Sequence, residues 1–270
     1  MQLQPYLDRI QYQGEVIPTL NVLKAIHAAH VCSIPFENID VQLGRRLTIS
    51  INNAYRKIVE HQRGGWCYEQ NGLFGWALSE IGFQVMRLAA SVVRNPADDR
   101  TEGDHLCLLV TCPGDTQVQY LADVGFGGSM LQPLLLAERS YSSSPYELAL
   151  RKLDNGYWQF REILNSKAFG FDFLPVDADE QVLTDMSDIL QNDSNSNFVL
   201  NLTVQKRAID QHTILRGRVL THTSKDGVIT ETLDSADALV ETLFDKFGIE
   251  LPEVADLWPN IIARHRQLFA

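Results

Sequence analysis

The chain has 270 residues, with 23 Lys+Arg against 34 Asp+Glu for a formal net charge of −11, and is 45% hydrophobic, 9% aromatic and 21% charged. Such a composition excludes disordered, collagen-like and disulfide-scaffold classes, and the length allows one large domain or two to three small ones. The acidic balance lacks the basic stripe that nucleic acid or an anionic membrane requires, while backbone N–H groups in a local pocket can still receive a small anion.

The opening segment MQLQPYLDRIQYQGEVIP has no basic stretch followed by an apolar one, so no secretory signal is expected. No apolar run reaches the roughly 18 residues of a membrane span. Residues 1–83 read as helical: PTLNVLKAIHAAHVC places Leu20, Leu23 and Ile26 at helical spacing. LFGWALSEIG aligns Leu73, Phe74, Ala77, Leu78 and Ile81 on one face and stops at Gly82. From residue 84 to about 165 the period changes, and QVMRLAASVVR, HLCLLVTC, VQYLADVGF and YWQFREIL read as strands. Turn clusters such as NPADDRTEGD and PGD separate them, which predicts an antiparallel sheet or barrel. The polar QNDSNSN at 191–197 is a candidate boundary, followed by FVLNLTVQK and TILRGRVLTHT as strands and SADALVETLFDKFG as a helix. Charge divides in this last part: Lys206 to Arg218 carries four basic residues and one acidic, Lys225 to Asp256 two basic and nine acidic.

Cys32, Cys67, Cys107 and Cys112 form no CxxC and no zinc-like pairing with histidine, which fits a reducing cytoplasm. In RGGWCYEQNGLFGWAL, Cys67 falls at or just inside a helix N-terminus, where the dipole and unpaired N–H groups favour a thiolate. A buried structural cysteine after a Gly-Gly turn is the alternative. A reactive cysteine needs a base, and the base needs a group that fixes its tautomer. His105 opens HLCLLVTC and Asp123 closes VQYLAD, with PGD between them. A hairpin turning at Gly114 or at the Gly114–Asp115 bond pairs positions that sum to 228 or 229, setting His105 opposite residue 123 or 124. Directly opposed residues bring their Cβ atoms to roughly 4.5–5.5 Å. His27 and His30 are spaced for a helical metal pair but have no third ligand nearby, so no metal is expected. After Asp123 the glycines of VGFGGS permit an anion-binding nest, with Phe126 either packed under the loop or lining a pocket.

Four segments, CSIPFENID at 32–40, RGGWCYEQNGLF from 63, HLCLLV at 105–110 and ADVGFGGS at 122–129, occur in an order and spacing that resembles the arylamine N-acetyltransferases over roughly residues 5–135. The resemblance implies an α+β fold: an N-terminal helical bundle (1–83), a central antiparallel β-barrel (84–190) and a C-terminal α/β lid (191–270) around a cysteine-protease-like core. It implies a Cys-His-Asp triad at Cys67, His105 and Asp123, the same residues that helix position and hairpin pairing select. It further implies Glu37 and Arg63 as an ion pair under the site, worth under about 1 kcal/mol at a surface and several if buried. Phe36, Val92, Phe126 and Phe198 would line the acceptor pocket, and Gly125, Gly127, Gly128 and Ser129 would lie near the donor's phosphates. Of the family's P-x-S-x-F pattern leading into the lid, Ser196 and Phe198 are kept.

The activity so implied is ping-pong transfer of acetyl from acetyl-CoA, a co-substrate and not a resident cofactor, through a cysteine thioester to a small aromatic amine or hydrazine. The expected setting is cytoplasmic, with neither nucleic acid nor membrane as partner, and compatible with a homo-oligomer. Three alternatives stay open: an amide synthase using a larger acyl donor, a cysteine hydrolase or transglutaminase-like enzyme with the same triad, and a non-catalytic small-molecule binding protein. The papain-type signature is absent, and His105 follows Cys67 by 38 residues where about 130–150 would be expected.

Overall fold

Periodic apolar residues, a side-chain cap and a terminal glycine build the N-terminal helices. The computed structural model describes residues 1–93, 101–128 and 130–269, so Ser129 and most of the NPADDRTEGD turn lie outside the described residues. The first elements are α1 (Leu3–Arg9), α2 (Leu20–Ser33), the short β1 (Phe36–Glu37), α3 (Ile39–Gln42), α4 (Ile51–Tyr55) and α5 (Cys67–Ile81). Thr19 caps α2 by accepting from the Val22 N–H, and Gly82 ends α5 at φ 105°, where a side chain would be strained. The predicted α5 face is buried: Leu73, Phe74, Ala77 and Leu78 pack with Leu23, Ile26 and Ile58 on one side and with Leu108 and Val110 on the other. Each such side chain contributes about 1.5–3 kcal/mol relative to exposure.

Eight strands follow: β2 (Gln84–Val93), β3 (His105–Cys112), β4 (Asp115–Ala122), β5 (Leu134–Leu135), β6 (Arg139–Ser143), β7 (Tyr146–Lys152), β8 (Trp158–Leu164) and β9 (Lys167–Phe173). They form one antiparallel sheet in the order β5-β4-β3-β2-β9-β8-β7-β6. Among the described residues the edges β5 and β6 do not pair with each other, so the sheet curls as a barrel does without closing. All eight residues of β3 are buried. Leu108 and Val110 face α5, while Cys107 and Leu109 face Leu121, Phe160 and Phe171 inside the curl.

The β3–β4 register corrects the hairpin expectation. Leu108 pairs with Ala122 and Thr111 with Gln119, a sum of 230, and the register slips at Thr111/Cys112 so that Cys112 pairs with Asp115 across Pro113–Gly114. The observed sum lies two above 228 and one above 229, so His105 stands level with residue 125 and not with 123 or 124. In this register residue 123 is level with 107, which has the parity of 105, so His105 and Asp123 lie on one face of the pair; a sum of 229 would have put them on opposite faces.

The C-terminal part comprises α6 (Glu180–Asn192), α7 (Asn197–Leu200), β10 (Thr203–Arg207), β11 (Gln211–Arg216), β12 (Val219–Ser224), β13 (Gly227–Thr232), α8 (Ala236–Thr242) and α9 (Trp258–Phe269). Helix α6 was not anticipated, and the first two residues of QNDSNSN complete it. FVLNLTVQK is not one strand: Ser196 caps the single turn of α7 by accepting from the Phe198 N–H, and extended pairing begins only at Thr203. TILRGRVLTHT is a hairpin and not one strand, because Gly217, at φ 58°, turns the chain so that Arg216 pairs with Val219. The resulting sheet has the order β1-β10-β11-β12-β13. Its outermost inner-side strand is β1, through Phe36↔Gln205 and Glu37↔Val204, which ties this sheet to the N-terminal region. Val204, Leu215 and Leu220 bury one sheet face with Leu239, Leu243 and Phe247, and Gly248 at φ 70° ends that helical stretch as expected. Among the described residues no helix is long and apolar enough to cross a membrane.

Candidate active site

The RGG turn brings β1 and α5 together. A Cβ at Gly64 would collide with the Pro35 carbonyl, and the Glu37 N–H donates to the Gly65 carbonyl at 3.0 Å. Trp66, the N-cap of α5, cannot cap with its indole as Ser or Asp would; instead its N–H donates to Glu69 Oε2 at 3.2 Å. Cys67 is thus the first helical residue, buried among Phe36, Trp66, Leu106 and Phe198.

His105 lies on the concave face of β3, toward this thiol, and Cys67 is one of the groups that favour its charged form. On its other side Nε2 lies 2.6 Å from Asp123 Oδ2. Burial opposes the imidazolium, but the Asp123 charge and hydrogen bond, reinforced by Cys67, hold it protonated up to about 10. Burial likewise opposes the Asp123 carboxylate, yet His105, Asn71 and the Gly125 N–H keep its carboxyl below the ordinary value. Asn71 sits one helical turn after Cys67. Its Nδ2 donates to the Leu106 carbonyl at 2.6 Å and to Asp123 Oδ1 at 2.8 Å, and its Oδ1 accepts from the Val124 N–H at 2.9 Å.

The two helical histidines support this arrangement from below. The Asp123 N–H donates to His27 Nε2 at 3.2 Å, and His30 links Tyr6 (2.8 Å) to Gln70 (3.2 Å), whose amide donates to the Gly65 carbonyl at 2.8 Å. Burial drives His27 down to about 4 and His30 to about 3, so both are neutral. Among the described residues no three His, Cys, Asp or Glu side chains converge as a metal site.

Glu37 and Arg63 belong to a buried ionic cluster. Arg63 lies 2.7 Å from Glu37 Oε1 and 3.4 Å from Asp40, while Lys57 Nζ lies 2.9 Å from both Asp40 and Glu69. Glu37 Oε2 also accepts from the Ile39 N–H at 2.7 Å. Burial works against the Lys57 charge, and the surrounding carboxylates hold it on. Because Glu69 also caps α5, the cluster and the helix start beneath Cys67 share an atom.

The aromatic residues divide into two groups. Phe126 lies 5.1 Å from His105 and stacks on Phe169 at 5.2 Å, with Phe171 at 4.9 Å; half-buried Val92 packs into the same cluster. Phe36 and Phe198, 6.4 Å apart, sit on the side of Cys67, with Phe198 5.5 Å from Trp66. The glycine loop is enclosed. The Gly125 N–H is engaged by Asp123 Oδ1 at 2.8 Å, and Gly127 and Gly128, at φ 105° and 103°, abut Gln205 and Arg207 of β10. Sequence reasoning missed Asn71, which the spacing of four from Cys67 could have flagged, and Phe169 and Phe171, visible as alternation in KAFGFDF. His27, Lys57 and Glu69 carry no comparable signal before the fold is known.

A family profile described as N-acetyltransferase matches residues 19–256. The chain is 35% identical over 269 residues to the arylamine N-acetyltransferase of Mycolicibacterium smegmatis, covering 94% of each sequence. The solved arylamine N-acetyltransferase of Mycobacterium marinum superposes with a TM-score of 0.87 at 33% identity, covering 97% of this chain and 98% of that one. A structure of the same M. marinum protein in complex with CoA gives a TM-score of 0.86 at 33% identity, with the same coverage.

Proposed function

The chain belongs to the arylamine N-acetyltransferase family, a family of acyltransferases, and from that premise we propose that it moves an acetyl group from acetyl-CoA through a Cys67 thioester to an aromatic amine or hydrazine. One observation carries this reading: the buried His105 imidazole lies 2.6 Å from Asp123 Oδ2 and is held charged by Asp123 and by Cys67, the first residue of α5. With His105 held as imidazolium, Sγ supplies the electron pair that attacks the thioester carbonyl. Backbone N–H groups at the start of α5, including that of Cys67, receive the oxyanion. Collapse breaks the donor's carbon–sulfur bond, and the departing sulfur takes the His105 proton, leaving acetyl-Cys67 and neutral His105. The amine then attacks the acyl carbon, its proton passes to His105, and Cys67 leaves as thiolate beside the restored imidazolium.

The rings of Phe36, Phe126 and Phe198, with Val92, support a flat apolar acceptor. Gly125 holds Asp123 in place. In this reading residues 1–83 supply the nucleophile, 84–190 the base and its carboxylate, and 191–270 a lid over both. The four unpaired cysteines support a reducing, cytoplasmic setting. Mixing stoichiometric enzyme with acetyl-CoA alone tests the mechanism. A near-stoichiometric burst of free CoA is expected, Cys67→Ser abolishes it, and its absence from the wild type overturns the reading.

A further inference from the structure

Of the two helical histidines, His30 engages both ring nitrogens, on Tyr6 at 2.8 Å and on Gln70 at 3.2 Å, and His27 engages one. His27 has no exposed surface. Its Nε2 accepts from the Asp123 N–H at 3.2 Å, so the proton of the neutral ring sits on Nδ1, which has no hydrogen-bond partner among the described residues. The Leu131 carbonyl favours a proton on the ring without completing such a bond. Phe74 of α5 packs across the ring edge to face at 5.5 Å. A buried donor left unpaired is costly, and an apolar side chain would fill the same space without one. The bond to Asp123 is what the histidine adds here.

That bond falls where the sheet ends. The β3–β4 pairing stops at Leu108↔Ala122 and the β4–β5 pairing at Leu121↔Leu134, so Asp123 lies past the ladder on both sides. Three successive N–H groups there turn to side chains: that of Asp123 to His27 Nε2, that of Val124 to Asn71 Oδ1 at 2.9 Å and that of Gly125 to Asp123 Oδ1 at 2.8 Å. Asn71 also holds the Asp123 carboxylate, through Nδ2 at 2.8 Å. Helix α5 therefore fixes the carboxylate and the chain that follows it. Among the described residues, the N–H of Asp123 itself is fixed from α2, by His27.

We propose that His27 is a positioning residue of the triad: its Nε2 supplies the acceptor for the Asp123 N–H beyond the end of the ladder, and so sets where the Asp123 carboxylate meets His105. It touches neither substrate nor reacting atom and acts through Asp123. The carboxylate lies 2.6 Å from His105 Nε2, which leaves little room for drift, and a displacement of about 1 Å near the chemistry costs on the order of 10²-fold in rate. The neutral ring is the form required, because an imidazolium at this place would donate where an acceptor is needed. Burial keeps it neutral, against the pull of the Asp123 charge beside it. The inference rests on the thioester reading above and adds how the proposed base is kept aligned.

Two substitutions tell the ring nitrogens apart. The amide oxygen of Gln stands as many bonds from Cβ as Nε2 does, and that of Asn as many as Nδ1. In His27→Gln the CoA burst from acetyl-CoA is expected to stay within about threefold of the wild-type rate. In His27→Asn and His27→Leu it slows roughly 10–100-fold with KM for acetyl-CoA unchanged. In both, the His105 midpoint, followed by NMR of the imidazole, falls from about 10 toward the ordinary 6.5. Ile26→Ala, at a fully buried position of the same helix, lowers Tm and moves neither rate nor midpoint. Wild-type rate and midpoint in His27→Asn and His27→Leu, with Tm alone reduced, overturn the proposal and leave His27 a packing residue. His27→Gln as slow as His27→Asn overturns it too, and this pair decides the matter if His27→Leu does not fold. A wild type without a burst overturns the thioester reading, and the His105 midpoint in the same variants still decides whether His27 fixes Asp123.

Discussion

Asp123 accepts from His105 Nε2, from Asn71 Nδ2 and from the Gly125 N–H, while its own N–H is spent on His27. Its charge is therefore held in place from several sides, and the charge in turn holds the proton on His105. In Asp123→Asn the cause that opposes burial is lost, so the His105 midpoint, now about 10, should fall below the ordinary 6.5 when followed by NMR of the imidazole. Acyl-enzyme formation should slow by roughly 10²–10⁴-fold. A His105 midpoint unmoved by the substitution would contradict this account. Arg63→Met makes a second prediction of a different kind. It leaves Glu37, which has no exposed surface, facing Asp40 with only Lys57 between them. The expected loss is about 3–5 kcal/mol in urea unfolding. Arg87→Ala, at the solvent-facing Arg87–Glu180 pair, should cost under about 1 kcal/mol by comparison. Cys67, His105 and Asp123, to which the proposal gives the roles of nucleophile, base and carboxylate, could be found in the sequence because each marks an element's end. Lys57 and Glu69 could not, because pairing between residues twelve apart across a turn leaves no periodic trace.

At the scale of elements, the one turn of α7 is too short to hold itself and depends on its neighbours. Asn38 Nδ2 donates to the Phe198 and Asn201 carbonyls at 2.8 and 2.9 Å, and its Oδ1 accepts from the Thr203 N–H at 2.8 Å. Asn38→Ala strands these buried groups and should cost about 1–3 kcal/mol. It should also raise KM for the arylamine, because Phe198 loses its anchor, while the CoA burst from the first half-reaction persists. An acceptor KM equal to wild type would show that α7 keeps Phe198 in place unaided. The helices α2 and α5 and the strands β2 and β8 were readable because each buries a face with its own period, and β3, buried on both faces, was readable as a short β-rich apolar run. α7 was hidden inside an apolar run that reads equally well as strand, and the β11–β12 turn lay within an uninterrupted stretch where Gly217 was the only punctuation. The β3–β4 slip was invisible for a third reason: turn residues indicate where a hairpin closes, while the irregularity lies before the turn, at Thr111/Cys112, where no turn residue marks it.

For the whole molecule, the buried histidines make stability depend on pH in two directions. His27, His30 and His212 are depressed to about 4, 3 and 3, in each case chiefly by burial. Their contribution is complete above about 6.5 and is lost as pH falls from there toward those values. His105 is raised to about 10, so its contribution is complete below about 6.5 and is lost as pH rises through 10. Melting temperature should therefore peak near pH 6.5. The acid limb, with three protons taken up on unfolding, falls at up to roughly 4 kcal/mol per pH unit, against about 1.4 on the alkaline limb. Calorimetry from pH 4 to 10 checks this, and a steeper alkaline limb would contradict it. By itself the sequence determined the fold class, the family and the three residues on which the proposed chemistry turns, because helix caps, alternation and a motif set are written locally. Only the tertiary structure decided that the glycine loop is closed between α5 and β10, that five charges share one buried cluster, and that Phe36 and Glu37 pair with Gln205 and Val204 of the C-terminal sheet. Each of these joins residues far apart in the chain, and their meeting is set by strand register and by which faces are buried, which no local pattern encodes.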